Sequence, residues 1–249
     1  MKYNQLFSII LTGLAFYCFV RAFTAQADNP EKNNPPNVRI ITPLNNNSFK
    51  WNAMVNYSIS VSDKEDGTSE YNEIAAGEVL LKVVYLPDGS KVKKHLSDKP
   101  NNGDPEPAGL SLIKTSACFT CHASKNKLIG PSFELIAKRY PNNTTSIEML
   151  VKKLIKGSTD VWGNIPMPPH PDLKTQQARE IISWILKNNT NPDVTYFTGI
   201  QGAFRTKEKP AKDAGKGVYI LTASYTDHGL KDLPQLSKRG EHTIILKNY

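Results

Sequence analysis

The pentapeptide at 118–122 constrains this chain more than any other stretch, because its spacing serves one piece of cofactor chemistry. It reads Cys118-Phe119-Thr120-Cys121-His122. Two thiols three positions apart can each add to a vinyl group of one haem, and the histidine that follows is then held under the iron. The pattern therefore predicts one covalently bound haem c on Cys118 and Cys121, with His122 as an iron ligand.

Two other interpretations of the cysteine pair are disfavoured by its surroundings. A redox dithiol normally follows a strand in an α/β unit, whereas residues 108–117 have the periodicity of a helix, with Leu110 and Ile113 on one face. A zinc site needs a second Cys or His pair at ligand spacing, and we find none in the sequence. Haem attachment remains the prediction.

A second candidate ligand lies in a proline-rich loop. Met167 stands between Pro166 and Pro168, in the segment 162–169. Proline fixes the backbone and excludes a regular helix, so this methionine is not placed like ordinary core filler. We expect its thioether to reach the sixth position of the iron.

Residues 107–190 resemble a class I cytochrome c of the short bacterial type. The matching segments are Gly109-Leu110, 118–122, 128–133, Gly157, 161–169 and a last helix that contains Trp184. The resemblance implies an all-α domain that transfers electrons and is not an enzyme.

The same resemblance implies roles for individual residues. Cys118 and Cys121 would carry the haem, and His122 and Met167 would be its axial ligands. The Pro131 carbonyl would accept the other imidazole N–H of His122, which fixes the ring and raises its basicity. Trp162 would lie near a haem propionate.

The first 27 residues have the features of an export signal. Lys2 supplies a positive start, residues 6–20 are apolar, and Ala25-Gln26-Ala27 is a cleavage pattern. We therefore expect a periplasmic or secreted protein that starts at Asp28 and does not associate with the membrane after cleavage. The alternative is a retained anchor, although the apolar run is short for a membrane span.

The segments on either side of the haem region are predicted to be β-structure. Period-two alternation marks strands at 55–61, 79–85, 218–225 and 242–246, and further strands are predicted at 38–41 and 91–95. Residues 96–107 contain three prolines and form a linker. Neither β portion has enough strands for a core of its own, whereas together they have the size of a sandwich.

The predicted fold class is therefore multidomain: an all-α cytochrome c domain plus an all-β immunoglobulin-like sandwich built from the N- and C-terminal portions. Segments 62–67 and 217–227 resemble PKD-type sandwiches. We divide the chain into a signal peptide (1–27), an N-terminal β portion (28–106), a cytochrome portion (107–190) and a C-terminal β portion (191–249). The arrangement resembles the cytochrome modules of secreted bacterial sugar dehydrogenases.

The charge distribution bears on the partners. The cytochrome portion has eleven lysines and arginines against five acidic residues, and Lys125 and Lys127 closely follow the haem motif. A basic ring at a haem edge would steer an acidic redox-partner protein, for example a dehydrogenase; an ordinary solvated lysine surface is the alternative. No nucleic-acid motif is found, so no nucleic-acid partner is expected.

The predicted function is single-electron transfer between redox partners, with the sandwich as a docking module. Two alternatives remain open. In the first, the protein would be a peroxidase or ligand sensor in which Met167 leaves the iron. In the second, it would be a carbohydrate- or protein-binding module whose haem is secondary.

Overall fold

The computed structural model describes residues 32–97, 106–159, 161–211 and 215–248. The predicted export signal and its cleavage site lie outside the described residues. The described helices are α1 (Val92–Ser97), α2 (Ala108–Thr115), α3 (Phe133–Arg139), α4 (Thr144–Lys156) and α5 (Thr175–Asn188). The described strands are β1 (Asn37–Thr42), β2 (Ser48–Phe49), β3 (Met54–Asp63), β4 (Gly67–Thr68), β5 (Leu80–Leu86), β6 (Val194–Thr198), β7 (Gln201–Arg205), β8 (Val218–Thr226) and β9 (Arg239–Asn248).

The strands form two sheets. In the first sheet, β3 pairs antiparallel with β1, β4 and β7. The second sheet has the order β2-β9-β8-β5-β6, and all of its neighbours are antiparallel except β2 and β9, which are parallel. Both sheets take strands from the two β portions, and a helical region lies between these portions in sequence. The predicted fold class is therefore confirmed as a helical region plus β-sheets that are built from the N- and C-terminal portions.

Period-two alternation places one face of each longer strand in the core between the sheets. In β8, Tyr219, Leu221, Ala223 and Tyr225 point inward and belong to this core. They pack with Val61 of β3 and with side chains of β5 and β9. Burial of such apolar faces is the main favourable term that holds two sheets together.

The helical region has a core of its own. Helix α5 buries an apolar stripe there, which consists of Ala178, Ile181, Ile182, Ile185 and Leu186. Helix α2 packs closely against α5 at Gly109, where a Cβ atom would lie 2.3 Å from the Glu180 carbonyl oxygen. This contact explains why a glycine occupies the first turn of α2.

One local prediction is wrong. Residues 91–95 are not a strand but lie in the turn and helix that follow Asp88, whose carboxylate accepts the Ser90 N–H. The start of α4 is capped by Asn143, whose side-chain oxygen accepts the Ser146 N–H at 2.9 Å. Glu148, in the same helix, forms an ion pair with Arg179 of α5.

The helical region packs against the second sheet. Strands β5 and β6 flank it in sequence and are paired neighbours, from Leu80↔Thr198 to Val84↔Val194. Leu80 and Tyr196 join the helical core, and the Tyr196 ring meets Trp184 of α5 edge-on at 5.1 Å. The chain therefore leaves the sheet and returns to it at adjacent strands. None of the described helices is both long enough and apolar enough to cross a membrane.

Candidate haem site

The 118–122 motif follows α2 through a tight turn. Ala117 adopts a left-handed conformation (φ +53°), and a short 3-10 helix spans Cys118–Thr120. The His122 N–H donates to the Cys118 carbonyl at 3.0 Å, so the histidine lies one turn beyond the first thiol. This turn brings both cysteines and the imidazole to the same cavity.

A closed loop fixes the imidazole of His122. The Gly130 N–H donates to the Cys121 carbonyl at 2.9 Å, which returns the chain to the histidine. There the Pro131 carbonyl oxygen lies 2.7 Å from His122 Nδ1. A Cβ atom on Gly130 would lie only 2.4 Å from the imidazole Cε1, so this approach requires glycine. The Phe133 ring stacks on the imidazole at 5.7 Å.

Burial on this side of the cavity favours a neutral His122 imidazole and a protonated Cys118 thiol. Burial lowers the pKa of His122, against the opposing effect of the Pro131 carbonyl. The Nδ1–H that donates to Pro131 leaves Nε2 as the nitrogen for a metal. Burial raises the pKa of Cys118 to about 11. A raised thiol pKa is the opposite of what a redox dithiol requires.

The opposite wall carries Met167. Its backbone makes two hydrogen bonds with Ser158, because the Met167 N–H donates to the Ser158 carbonyl (2.8 Å) and the Ser158 N–H donates to the Met167 carbonyl (3.1 Å). Gly157, with φ +81°, ends α4 just before this bridge. The loop is thereby closed at its base, and the methionine faces the cavity.

Trp162 lies in the same loop and is held by side chains that the sequence did not suggest. The Arg139 guanidinium stacks over its ring at 4.7 Å and donates to the Val161 carbonyl at 3.2 Å. Tyr140 meets the indole edge-on at 6.5 Å. Arg139 lies more than twenty positions from Trp162, so no local pattern connects them.

One cavity of about 420 Å³ brings the predicted residues together. Its lining includes all six: Cys118, Cys121, His122, Pro131, Trp162 and Met167. The donor set consists of two thiols, one imidazole and one thioether, within a mainly apolar wall. This combination fits a haem c, because thiols bond its vinyl groups and nitrogen and thioether sulfur suit its iron.

The comparisons with known proteins match the part of the chain that carries this site. Residues 108–189 match the cytochrome c family. The chain is 37% identical over 78 residues to cytochrome c-551 of Azotobacter vinelandii, covering 31% of this chain and 94% of that protein. It is 35% identical over 79 residues to cytochrome c-552 of Hydrogenobacter thermophilus, covering 32% of this chain and 80% of that protein.

Among solved structures, the crystal structure of Nitrosomonas europaea cytochrome c552 matches with 35% identity and a TM-score of 0.30, covering 31% of this chain and 96% of that one. The sequence matches above show that the chain belongs to the cytochrome c family. Its residues 108–189 form a class I domain similar to cytochromes c-551 and c-552. Membership of this family, with Cys118 and Cys121 in place, indicates one covalently bound haem c.

Proposed function

We propose that this protein is a periplasmic or secreted electron carrier with one haem c held by Cys118 and Cys121. His122 and Met167 would be the axial ligands. The observation that carries the proposal is that these four side chains line a single cavity whose two walls are fixed separately, by the Pro131 contact and by the Ser158 bridge. When bound, the haem would supply a one-electron couple between ferrous and ferric iron.

The protein's own residues would hold this couple in one geometry. Pro131 keeps the proton on Nδ1 of His122 and so presents Nε2 as a more basic ligand. With the haem bound, the neutral Met167 sulfur would favour the reduced state and raise the potential relative to a second histidine. Ligation by both His122 and Met167 would leave no iron position open for a substrate, which supports a carrier over a peroxidase.

A pair of methionine variants tests the axial ligand. Met167→Ala should retain the covalent haem but bind carbon monoxide in the reduced state, and its potential should fall. Met149→Ala is the matched control, because Met149 lies on α4 but is absent from the cavity lining. Mass spectrometry should show one haem on each variant. If reduced wild-type protein also binds carbon monoxide readily, the ligand-sensor alternative is favoured and the six-coordinate carrier is refuted.

We also propose that the domains divide at 28–106, 107–190 and 191–249, with the cytochrome inserted between β5 and β6 of an immunoglobulin-like sandwich. The parallel pairing of β2 with β9 and the pairing of neighbouring strands around the insertion support this division. The sandwich would act as a docking module for a redox partner.

An acidic partner would approach at the mouth of the haem cavity. Lys127 and Lys153 line this cavity, and exposed Ile129 and Ile165 lie beside them. Lys125, by contrast, is 16% exposed and is held by Glu134 at 3.3 Å. Lys127 is therefore a better position than Lys125 for a charge-reversal test of docking.

A further inference from the structure

A second cavity, of about 410 Å³, lies between the edges of the two sheets. Strands β6 and β7 are joined by a short turn, yet β6 pairs with β5 in the second sheet and β7 pairs with β3 in the first. The two edges leave an opening that we call the inter-sheet cleft. Lys125 and Asn126, which closely follow His122, line it from the cytochrome side. The cleft thus forms where the cytochrome and the sandwich meet, a common position for small-molecule sites.

Aromatic side chains line the interior of the cleft. The Phe197 ring lies 6.2 Å from that of Phe204, which in turn lies 5.9 Å from Tyr219. Tyr85 continues this wall at 5.2 Å from Tyr219. A space between two sheets that is bounded by rings suits a flat apolar group, because aromatic pairs gain from offset and edge-on contacts.

The cationic side chains at the cleft differ in whether a carboxylate neutralises them. Lys207 is paired with Asp193, and Lys125 is paired with Glu134. The Arg205 guanidinium contacts only the neutral Asn52 oxygens, at 2.9 and 3.4 Å, among the residues that the structure describes. Its charge therefore lacks a carboxylate partner, and guanidinium is the side-chain cation best shaped to bind one.

A buried hydroxyl adds a second donor. Tyr219 is 3% exposed and lines the cleft, and its oxygen accepts the Lys207 backbone N–H at 2.6 Å. In the described part of the chain we find no acceptor for its own proton. Burial raises the pKa of Tyr219 to about 12, so the hydroxyl stays protonated at neutral pH. An acceptor oxygen on a ligand would complete its hydrogen bonding.

We propose that the inter-sheet cleft binds a small aromatic carboxylate. Its ring would lie among Tyr85, Phe197 and Phe204, and its carboxylate would be bound by Arg205 and the Tyr219 hydroxyl. The volume lies within the range of small-ligand sites, and the lining combines aromatic rings with the polar groups that would orient a ligand. This site is separate from the haem cavity and does not depend on its chemistry.

Calorimetric titration of the full-length protein with sodium benzoate and with 2-naphthoate tests the proposal. Benzyl alcohol, a neutral molecule of similar shape, should bind more weakly than benzoate. Arg205→Gln should lower the benzoate affinity about tenfold or more and leave benzyl alcohol unchanged, because charge-assisted hydrogen bonds are the stronger ones. Arg205→Lys keeps the positive charge, so its benzoate affinity should fall less than that of Arg205→Gln.

Arg39→Gln is the matched control, because Arg39 is an exposed arginine on β1 of the same sheet and does not line the cleft. Its benzoate affinity should equal that of the wild type, and thermal unfolding of each variant checks that it is folded. The proposal is overturned if wild-type protein gives no benzoate heat up to roughly 10 mM. It is also overturned if Arg39→Gln and Arg205→Gln lower the benzoate affinity equally, or if glucose binds as tightly as benzoate.

Discussion

Lys114 and Glu106 form a buried ion pair beside the junction of the cytochrome with the sandwich. The two charged groups lie 2.8 Å apart, and their side chains are only 5% and 2% exposed. Lys114 also donates to the Glu78 carbonyl at 3.0 Å, which connects α2 to the turn before β5. Lys114→Met would keep the length of the side chain but leave the Glu106 carboxylate buried without its cation.

The loss of stability expected for Lys114→Met follows from the burial of this ion pair. Removing one partner of a buried pair leaves an uncompensated charge and typically destabilises a protein by about 3–5 kcal/mol. Replacing both charges with apolar groups removes that penalty. Lys114→Met/Glu106→Met should therefore recover about 2 kcal/mol or more of the loss, with the lost bond to the Glu78 carbonyl as the remainder.

Urea denaturation measures these free energies, with far-ultraviolet circular dichroism and the haem absorbance followed together because the chain has more than one folded portion. Arg179→Met is the matched control. Arg179 pairs with Glu148 at 2.6 Å, but both side chains are about 40% exposed, so its loss should be far smaller. The reasoning fails if Lys114→Met and Arg179→Met lower the free energy of unfolding equally, or if the double variant is no more stable than Lys114→Met.

Three further predictions concern other parts of the chain. The N-terminal β portion expressed alone should be poorly folded, and joining it by a flexible linker to the C-terminal β portion should restore cooperative unfolding; a fragment that unfolds cooperatively alone would contradict the insertion. Lys127→Glu should slow oxidation by the ferricyanide anion at low salt but not near 1 M salt, where the screening length is about 3 Å, whereas Lys187→Glu, outside the cavity lining, should have little effect in stopped-flow measurements. Burial opposes protonation of His228, but its hydrogen bond to Asp66 and nearby acidic charge raise its pKa. The interaction of protonated His228 with Asp66 therefore stabilises the folded state below a pH of about 6.5. This stabilisation is lost as the pH rises through the raised pKa of His228, so His228→Gln should flatten that part of a plot of unfolding free energy against pH.

Much of the haem site could be predicted from the sequence because the cofactor chemistry itself requires short, local patterns. The thioether bonds require two cysteines at close spacing, and a methionine between prolines has few structural roles. The structure places these residues around one cavity. The partners that hold them were not predictable, since Arg139 reaches Trp162 and Gly130 reaches His122 only after the chain has folded back.

Strand prediction succeeded where alternation was long and failed where it was short. The ten residues of β3 and the nine of β8 carry a clear period of two. Residues 91–95 carry the same pattern over a few positions, but Val92 and Leu96 are also four apart, which is a helical spacing, and Asp88 caps the turn that starts the helix. Strands β6 and β7 were missed because their five residues lack a distinctive period.

The sequence by itself determined the haem chemistry and the combination of a helical cytochrome with β-structure on both sides of it. Only the tertiary structure decided which strands are neighbours, that Lys125 is held in an ion pair, and that an aromatic cleft lies between the sheets beside Arg205, which has no carboxylate partner among the described residues. The physical reason is distance along the chain. Bonding to one cofactor and the alternation of one strand are local properties, whereas a register, a buried charge pair and a cavity each require residues from separate segments to meet.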